Sequence, residues 1–230
     1  MKLSINEFTY NETKFYDELM RKTGFDIRVA IPAEITSIDF EKQTCKAQPT
    51  IRERLILNDK YEWVELPELL EVPFFIPFGG DFNMTFPIKE GDECLIVFSD
   101  LCIDGWWQNG GVQNQADSRR HDLSDGFAIV GFKSQKHKLE DYSNNSLQIR
   151  NKNNVLAEFK EDSVKIQIDD TAYIEIDENK EITIKANSIK LDSKTITIGD
   201  SNSSVTIAGK DFLQHTHSNG NQGANTGVVV

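Results

Sequence analysis

The side chains with the most evident chemistry stand near the C-terminus, in Phe212-Leu213-Gln214-His215-Thr216-His217-Ser218-Asn219-Gly220. On an extended backbone, His215 and His217 point the same way with Cα atoms roughly 6–7 Å apart. Two imidazoles do not close a metal site. Two from each of three chains around a threefold axis supply six nitrogens, a set that suits octahedral Fe(II), Ni or Co better than Zn with its four-ligand habit. The alternative is a pair of solvated histidines in a Gly/Asn-rich tail. A second cluster, Arg119-Arg120-His121-Asp122-Leu123-Ser124-Asp125, gathers His, Asp and Ser. Neighbours in sequence are not a triad, and neither a nucleophile elbow nor an oxyanion-hole signature accompanies them, so a loop-structuring role is expected. Asp and Glu number 37, so their count alone does not exclude a glycosidase-type acid pair, but after the elements described below no residues remain for an enclosing domain. Gly79-Gly80 and Gly110-Gly111 read as turn glycines without phosphate-cradling spacing. Trp106-Trp107 suit sugar stacking or, more commonly, a barrel edge or subunit contact. No catalytic residue and no organic cofactor is expected, so the chain is read as a non-enzyme.

The elements that must carry the histidine pair are repetitive. Ile182-Thr183-Ile184, Ile189-Lys190-Leu191, Ile196-Thr197-Ile198 and Val205-Thr206-Ile207 are apolar-polar-apolar and begin 7, 7 and 9 residues apart. Looser copies precede them at Leu147/Ile149, Val155/Ala157/Phe159, Val164/Ile166/Ile168 and Ile174/Ile176. Period-2 alternation gives each strand one dry face. Strands this short, joined by short turns, do not enclose that face with one chain, and an isolated ribbon is marginal in water. A single-chain solenoid normally needs about 20 or more residues per coil. Three copies around a common axis solve the problem, collecting Ile, Leu and Val inside and leaving Lys185, Lys190, Asp192 and Lys194 outside. Interwoven ladders without an open edge give a stiff rod. An ordinary β-sandwich is the alternative.

Upstream, residues 26–132 read as short strands: Ile27-Arg28-Val29-Ala30-Ile31, Ala33 to Ile38, and Thr44 to Ile51 after a polar turn at residues 39–43, forming a hairpin. Further strands are expected around Glu62 to Leu66, Leu70 to Ile76, Met84-Thr85-Phe86 and Glu93 to Phe98, which together suggest a small closed barrel of the OB type. Residues 11–24 place Phe15, Tyr16, Leu19 and Met20 at helical spacing before Gly24, a short amphipathic helix serving as an arm or as cover for a core edge.

Composition narrows the function classes. The net charge of −12 repels nucleic-acid phosphates and anionic membranes, so no nucleic-acid partner is expected. No run approaches the roughly 20 apolar residues of a membrane-spanning helix. The first residues lack a secretory pattern, so synthesis in a cytoplasm is expected. Cys45, Cys94 and Cys102 are odd in number and lack metal spacing, and buried free thiols are expected.

Three ordered segments carry a resemblance. They are Arg28-Val29-Ala30-Ile31-Pro32-Ala33 through Gln48-Pro49; Val72-Pro73 through Phe86-Pro87-Ile88-Lys89-Glu90-Gly91-Asp92-Glu93-Cys94; and Asp104-Gly105-Trp106 with Arg119 to Asp125. They resemble the N-terminal OB-fold domain of the central spike, or membrane-puncturing needle, of contractile phage tails. The repeat and His215-Thr216-His217 extend the resemblance nearly to the end.

The resemblance implies an all-β homotrimer. Residues 1–25 would form an N-terminal arm, 26–135 an OB-fold collar, 136–145 a linker, 146–212 an intertwined triple-stranded β-helix and 213–230 a metal-capped apex. It further implies that His215 and His217 of three chains hold one iron ion, and that the collar binds the baseplate hub protein. The rod would then pierce the bacterial outer envelope mechanically, as part of a virion or phage-tail-like particle. The alternative is a trimeric receptor-binding or adhesive tail protein. Only 13 residues follow His217, ending in Val228-Val229-Val230.

Overall fold

The structure is a computed structural model of the whole chain, and it describes residues 13, 15–17, 20, 27–57, 60–153, 155–199 and 203–212. The described residues are mostly β, in two compact units divided after Asp141. At the N-terminus, Thr13, Phe15, Tyr16, Asp17 and Met20 are helical, with Phe15, Tyr16 and Met20 exposed. Leu19 lies outside the described residues.

The first unit is organised by one five-stranded antiparallel sheet in the order β5-β2-β1-β8-β9. Its strands are β1 (Ala30–Asp39), β2 (Thr44–Pro49), β5 (Leu69–Pro73), β8 (Glu93–Phe98) and β9 (Gly126–Val130). The sequence splits β1 at Pro32, yet the strand runs through it: Pro32 pairs with Leu95, and its carbonyl accepts the Thr50 N–H at 3.0 Å. The two outer strands meet where Phe74 bridges Ala128 and the Phe75 N–H reaches the Ala128 carbonyl at 2.8 Å, so the sheet closes on itself.

The closed sheet encloses Ala33, Ile35, Cys45, Ala47, Leu69, Val72, Ile88, Cys94, Ile96, Phe98 and Ala128. In β2 and β8 every second residue is buried, the alternation a one-sided strand demands. Gly126 is required by close approach, since a Cβ there would sit 2.8 Å from Ile96 Cγ2. The three cysteines are free and buried, and burial pushes the thiols of Cys45 and Cys94 up to about 11 and about 12, which makes them packing groups rather than nucleophiles.

Two ribbons extend this unit: β3 (Glu53–Leu57) with β4 (Lys60–Val64), and the two-residue pair β6 (Phe78–Gly79) with β7 (Phe82–Asn83). Met84-Thr85-Phe86, expected as a strand, runs outside every ladder, and the tight β6–β7 turn takes its place. A short helix, Asp104–Asn109, carries Trp106 and Trp107, and a 3-10 turn spans Gln135–His137.

The second unit contains a five-stranded meander, β10 (Leu147–Arg150), β11 (Leu156–Phe159), β12 (Val164–Asp169), β13 (Ala172–Ile176) and β14 (Ile182–Lys185), in sequential order. Side-chain carboxylates and amides shape its turns. Asn151 Oδ1 accepts the N–H groups of Asn153 and Val155, Asp169 Oδ1 those of Thr171 and Ala172, and Asp177 Oδ1 those of Asn179 and Glu181. These five strands pair with one another in sequential order along the chain.

Beyond β14 the pattern changes. Ile189-Lys190-Leu191 and Ile196-Thr197-Ile198 have the alternation of strands but no ladder partner among the described residues. No described strand lies beside either of them. The described chain ends with the ribbon β15 (Thr206–Ile207) and β16 (Lys210–Asp211).

Candidate assembly surface

Register turns the alternation of the meander into a surface. One row across the five strands runs Leu147, Phe159, Val164, Ile176, Ile182, and the adjacent row on the same face runs Ile149, Ala157, Ile166, Ile174, Ile184. Ten successive positions are apolar, and every one belongs to the face defined by this pairing. The opposite face carries Gln148, Glu158, Lys165, Glu175 and Thr183 in one row, and Arg150, Leu156, Gln167, Tyr173 and Lys185 in the other. Several of its groups pair with one another. Lys165 and Lys185 lie 4.7 and 5.6 Å from the Tyr173 ring centroid, and Glu158 accepts hydrogen bonds from Gln148 and Ser146 that lower its pKa.

Among the described residues, nothing covers the apolar face. Ile166 is 55% exposed and Ile174 49%, although both stand in the middle of the sheet. Among the described residues of the second unit none is buried, whereas all twelve buried apolar side chains belong to the first. Ile189, Leu191, Ile196 and Ile198 are likewise exposed. A sheet with one dry face and no core is half of a packing arrangement, since a stable domain needs a second layer against that face. Contiguous apolar patches of this kind mark interaction sites.

The polar clusters of the first unit serve its architecture. Asp125, with 0% of its side chain exposed, accepts the Ile103 N–H at 2.9 Å and two bonds from Arg119, whose Nη2 also reaches Asp104 at 2.8 Å. The shared guanidinium lowers the Asp104 pKa, assisted by the Cys102 thiol. Cys102, Asp104 and Asp125 bring ligand atoms within 4.8 Å of one another. Arg119 already supplies the positive charge there, so the group is an ion-pair anchor for the loop before β9.

His121 bonds the Arg28 carbonyl through Nδ1 at 3.1 Å and Asp100 through Nε2 at 2.8 Å, while the Ser124 backbone N–H is held by Asp122. His121 and Asp122 thus each hold backbone or side-chain groups. Glu93 clamps the 3-10 turn by accepting the Ser134 N–H at 2.6 Å, the Ser134 hydroxyl at 2.8 Å and His137 Nδ1 at 2.9 Å. The Ser134 bonds lead in holding this carboxyl down at about 2. Trp106 packs edge-on against Phe127 at 5.9 Å, placing it at the barrel edge.

Sequence reasoning found the alternation but missed the Arg119–Asp125 anchor, whose only sequence signal is an acidic residue directly before an apolar strand. It also passed over β3 and β9. His215 and His217 lie outside the described residues.

Comparison with known proteins places the first unit in context. No curated protein matches the chain. Residues 31–131, which span the closed sheet and its anchoring loops, match the family model described as the phage protein Gp138 N-terminal domain, and this similarity supports a phage-associated protein.

Proposed function

We propose that the chain is the homotrimeric central spike of a contractile tail or tail-like injection particle. Its OB-type barrel would attach to the baseplate hub, and its rod would pierce the bacterial cell envelope without enzymatic turnover. The observation that carries the reading is the uncovered face of the meander, where two complete apolar rows demand a second layer that the described chain does not supply. Three copies packed face to face around an axis convert those rows into a common core, and they offer the unladdered segments at residues 186–199 strands to pair with. The similarity of residues 31–131 to a phage protein domain agrees with a structural part of a tail. At the tip, His215 and His217 of three copies would hold one iron ion, cross-linking the chain ends and stabilising the assembled form.

Native mass spectrometry tests assembly and metal together. The expected species is near three times the 26.1 kDa chain, carrying one iron ion. Replacing both His215 and His217 by Ala should remove the ion and leave the trimer. A monomer at micromolar concentration refutes the reading. A trimer that keeps stoichiometric iron after the double substitution refutes the histidine site alone.

A further inference from the structure

The outer side of β1 and β2, next to the β3–β4 ribbon, holds a cleft of about 750 Å³ that no element of the spike reading uses. The cleft is open to solvent rather than enclosed. Trp63 lines it and is 67% exposed, an unusual position for an indole with no covering element. Arg54 lies over the neighbouring Tyr61 ring at 4.4 Å and 6.0 Å from the Trp63 centroid, which fixes the aromatic side of the ribbon.

Around the indole stand groups whose hydrogen-bonding capacity is only partly used. Both Arg52 bonds go to Glu65 Oε1, at 3.2 and 2.6 Å, leaving Arg52 Nη1 and Glu65 Oε2 without a partner among the described residues. Gln48 is held through Nε2 on the Leu66 carbonyl at 2.9 Å, which fixes the amide and leaves its Oε1 open. Glu34 pairs directly with Gln48 in the β1–β2 ladder, lines the same cleft and is exposed. The cleft therefore presents an aromatic plate ringed by carboxylate and amide acceptors and one guanidinium donor.

We propose that this cleft binds a neutral oligosaccharide. A pyranose has an apolar face of C–H bonds that stacks on an aromatic ring, and an edge of hydroxyls that both donate and accept, which is the complement of this lining. A lipid would leave the charged groups unpaired. A nucleic acid also stacks on aromatics, but its phosphates meet Glu34, Glu65 and a chain of net charge −12. The proposal stands apart from the spike reading, since it uses only residues 34–65 of the first unit.

The test is saturation-transfer NMR and tryptophan fluorescence on the full-length protein, with maltotriose, cellotriose, mannotriose and triacetylchitotriose as probes and a thymidine oligonucleotide as the competing class. At least one trisaccharide should bind saturably, with affinity falling at least tenfold in Trp63→Ala and in Glu34→Gln and unchanged in Trp106→Ala. Glu34→Gln keeps shape and strand, so its effect is read even where Trp63→Ala disturbs the ribbon. Saturable binding by none of the four overturns the proposal, as does trisaccharide binding that survives both substitutions, or binding of the oligonucleotide alone.

Discussion

Replacing Ile166 by Asp puts a carboxylate in the centre of the meander's apolar face, between Ala157 and Ile174 of the adjoining strands. Within a single chain the cost should be small, because Ile166 is already 55% exposed and the new side chain stays in water. In an assembly that buries the face the arithmetic differs. Covering the remaining half of an isoleucine contributes about 1–2 kcal/mol. An unpaired buried carboxylate costs several kcal/mol even after relaxation. Three symmetry-related sites bring the loss to at least about 10 kcal/mol per trimer, about seven decades in the association constant.

Sedimentation equilibrium over a wide concentration range reads this directly. Wild type should remain trimeric to the lowest measurable concentration, and Ile166→Asp should be monomeric at micromolar concentration with its first-unit fold intact by near-UV circular dichroism. Lys165→Ala, one residue away on the opposite face, should leave assembly unchanged. An Ile166→Asp protein as trimeric as wild type would show that this face is not the packing surface, and the reasoning from register to assembly would fail.

Two further outcomes follow from the first unit. Asp125→Ala leaves Arg119 and the Ile103 N–H without their buried acceptor; with Arg119 partly solvated, urea unfolding of the barrel should show a loss of about 2–4 kcal/mol, and an unchanged midpoint would remove the anchor role. Glu93 has a folded pKa of about 2 against an ordinary 4.5, so the stability it contributes is complete above the ordinary value and is lost as pH falls from there toward 2. Glu93→Gln should therefore be less stable than wild type at neutral pH, with the gap closing across that acid window. Denaturation midpoints measured between pH 7 and 2 check this, and a gap independent of pH contradicts the clamp.

Much of this architecture was legible in residue order because it is local. The β1–β2 hairpin follows from a polar turn between alternating segments, β8 from the apolar run at Glu93 to Phe98, and the β10–β14 strands from period-2 alternation between Asn and Asp turns. The same alternation establishes that each repeat strand has one apolar side, since side chains on a pleated backbone point to opposite faces in turn. Composition alone gives the net charge of −12, which sets the sign of the long-range field around the chain.

Tertiary structure decided what depends on which segment lies beside which. Alternation does not state register, and a slip of one residue would have opposed Ile166 to polar neighbours; the observed ladders align ten apolar residues into two unbroken rows, and they do so within one chain. The pairing also separates residues 147–185, whose strands pair with one another, from Ile189 to Ile198, which find no strand among the described residues. Arg119 meets Asp125 and Asp104 only because the loop folds back before β9. Glu34, Gln48 and Trp63 are brought to one cleft only because the ribbon stands against the barrel. Backbone geometry repeats every two residues and is written locally, whereas contacts between distant segments arise from the free energy of the whole packed chain.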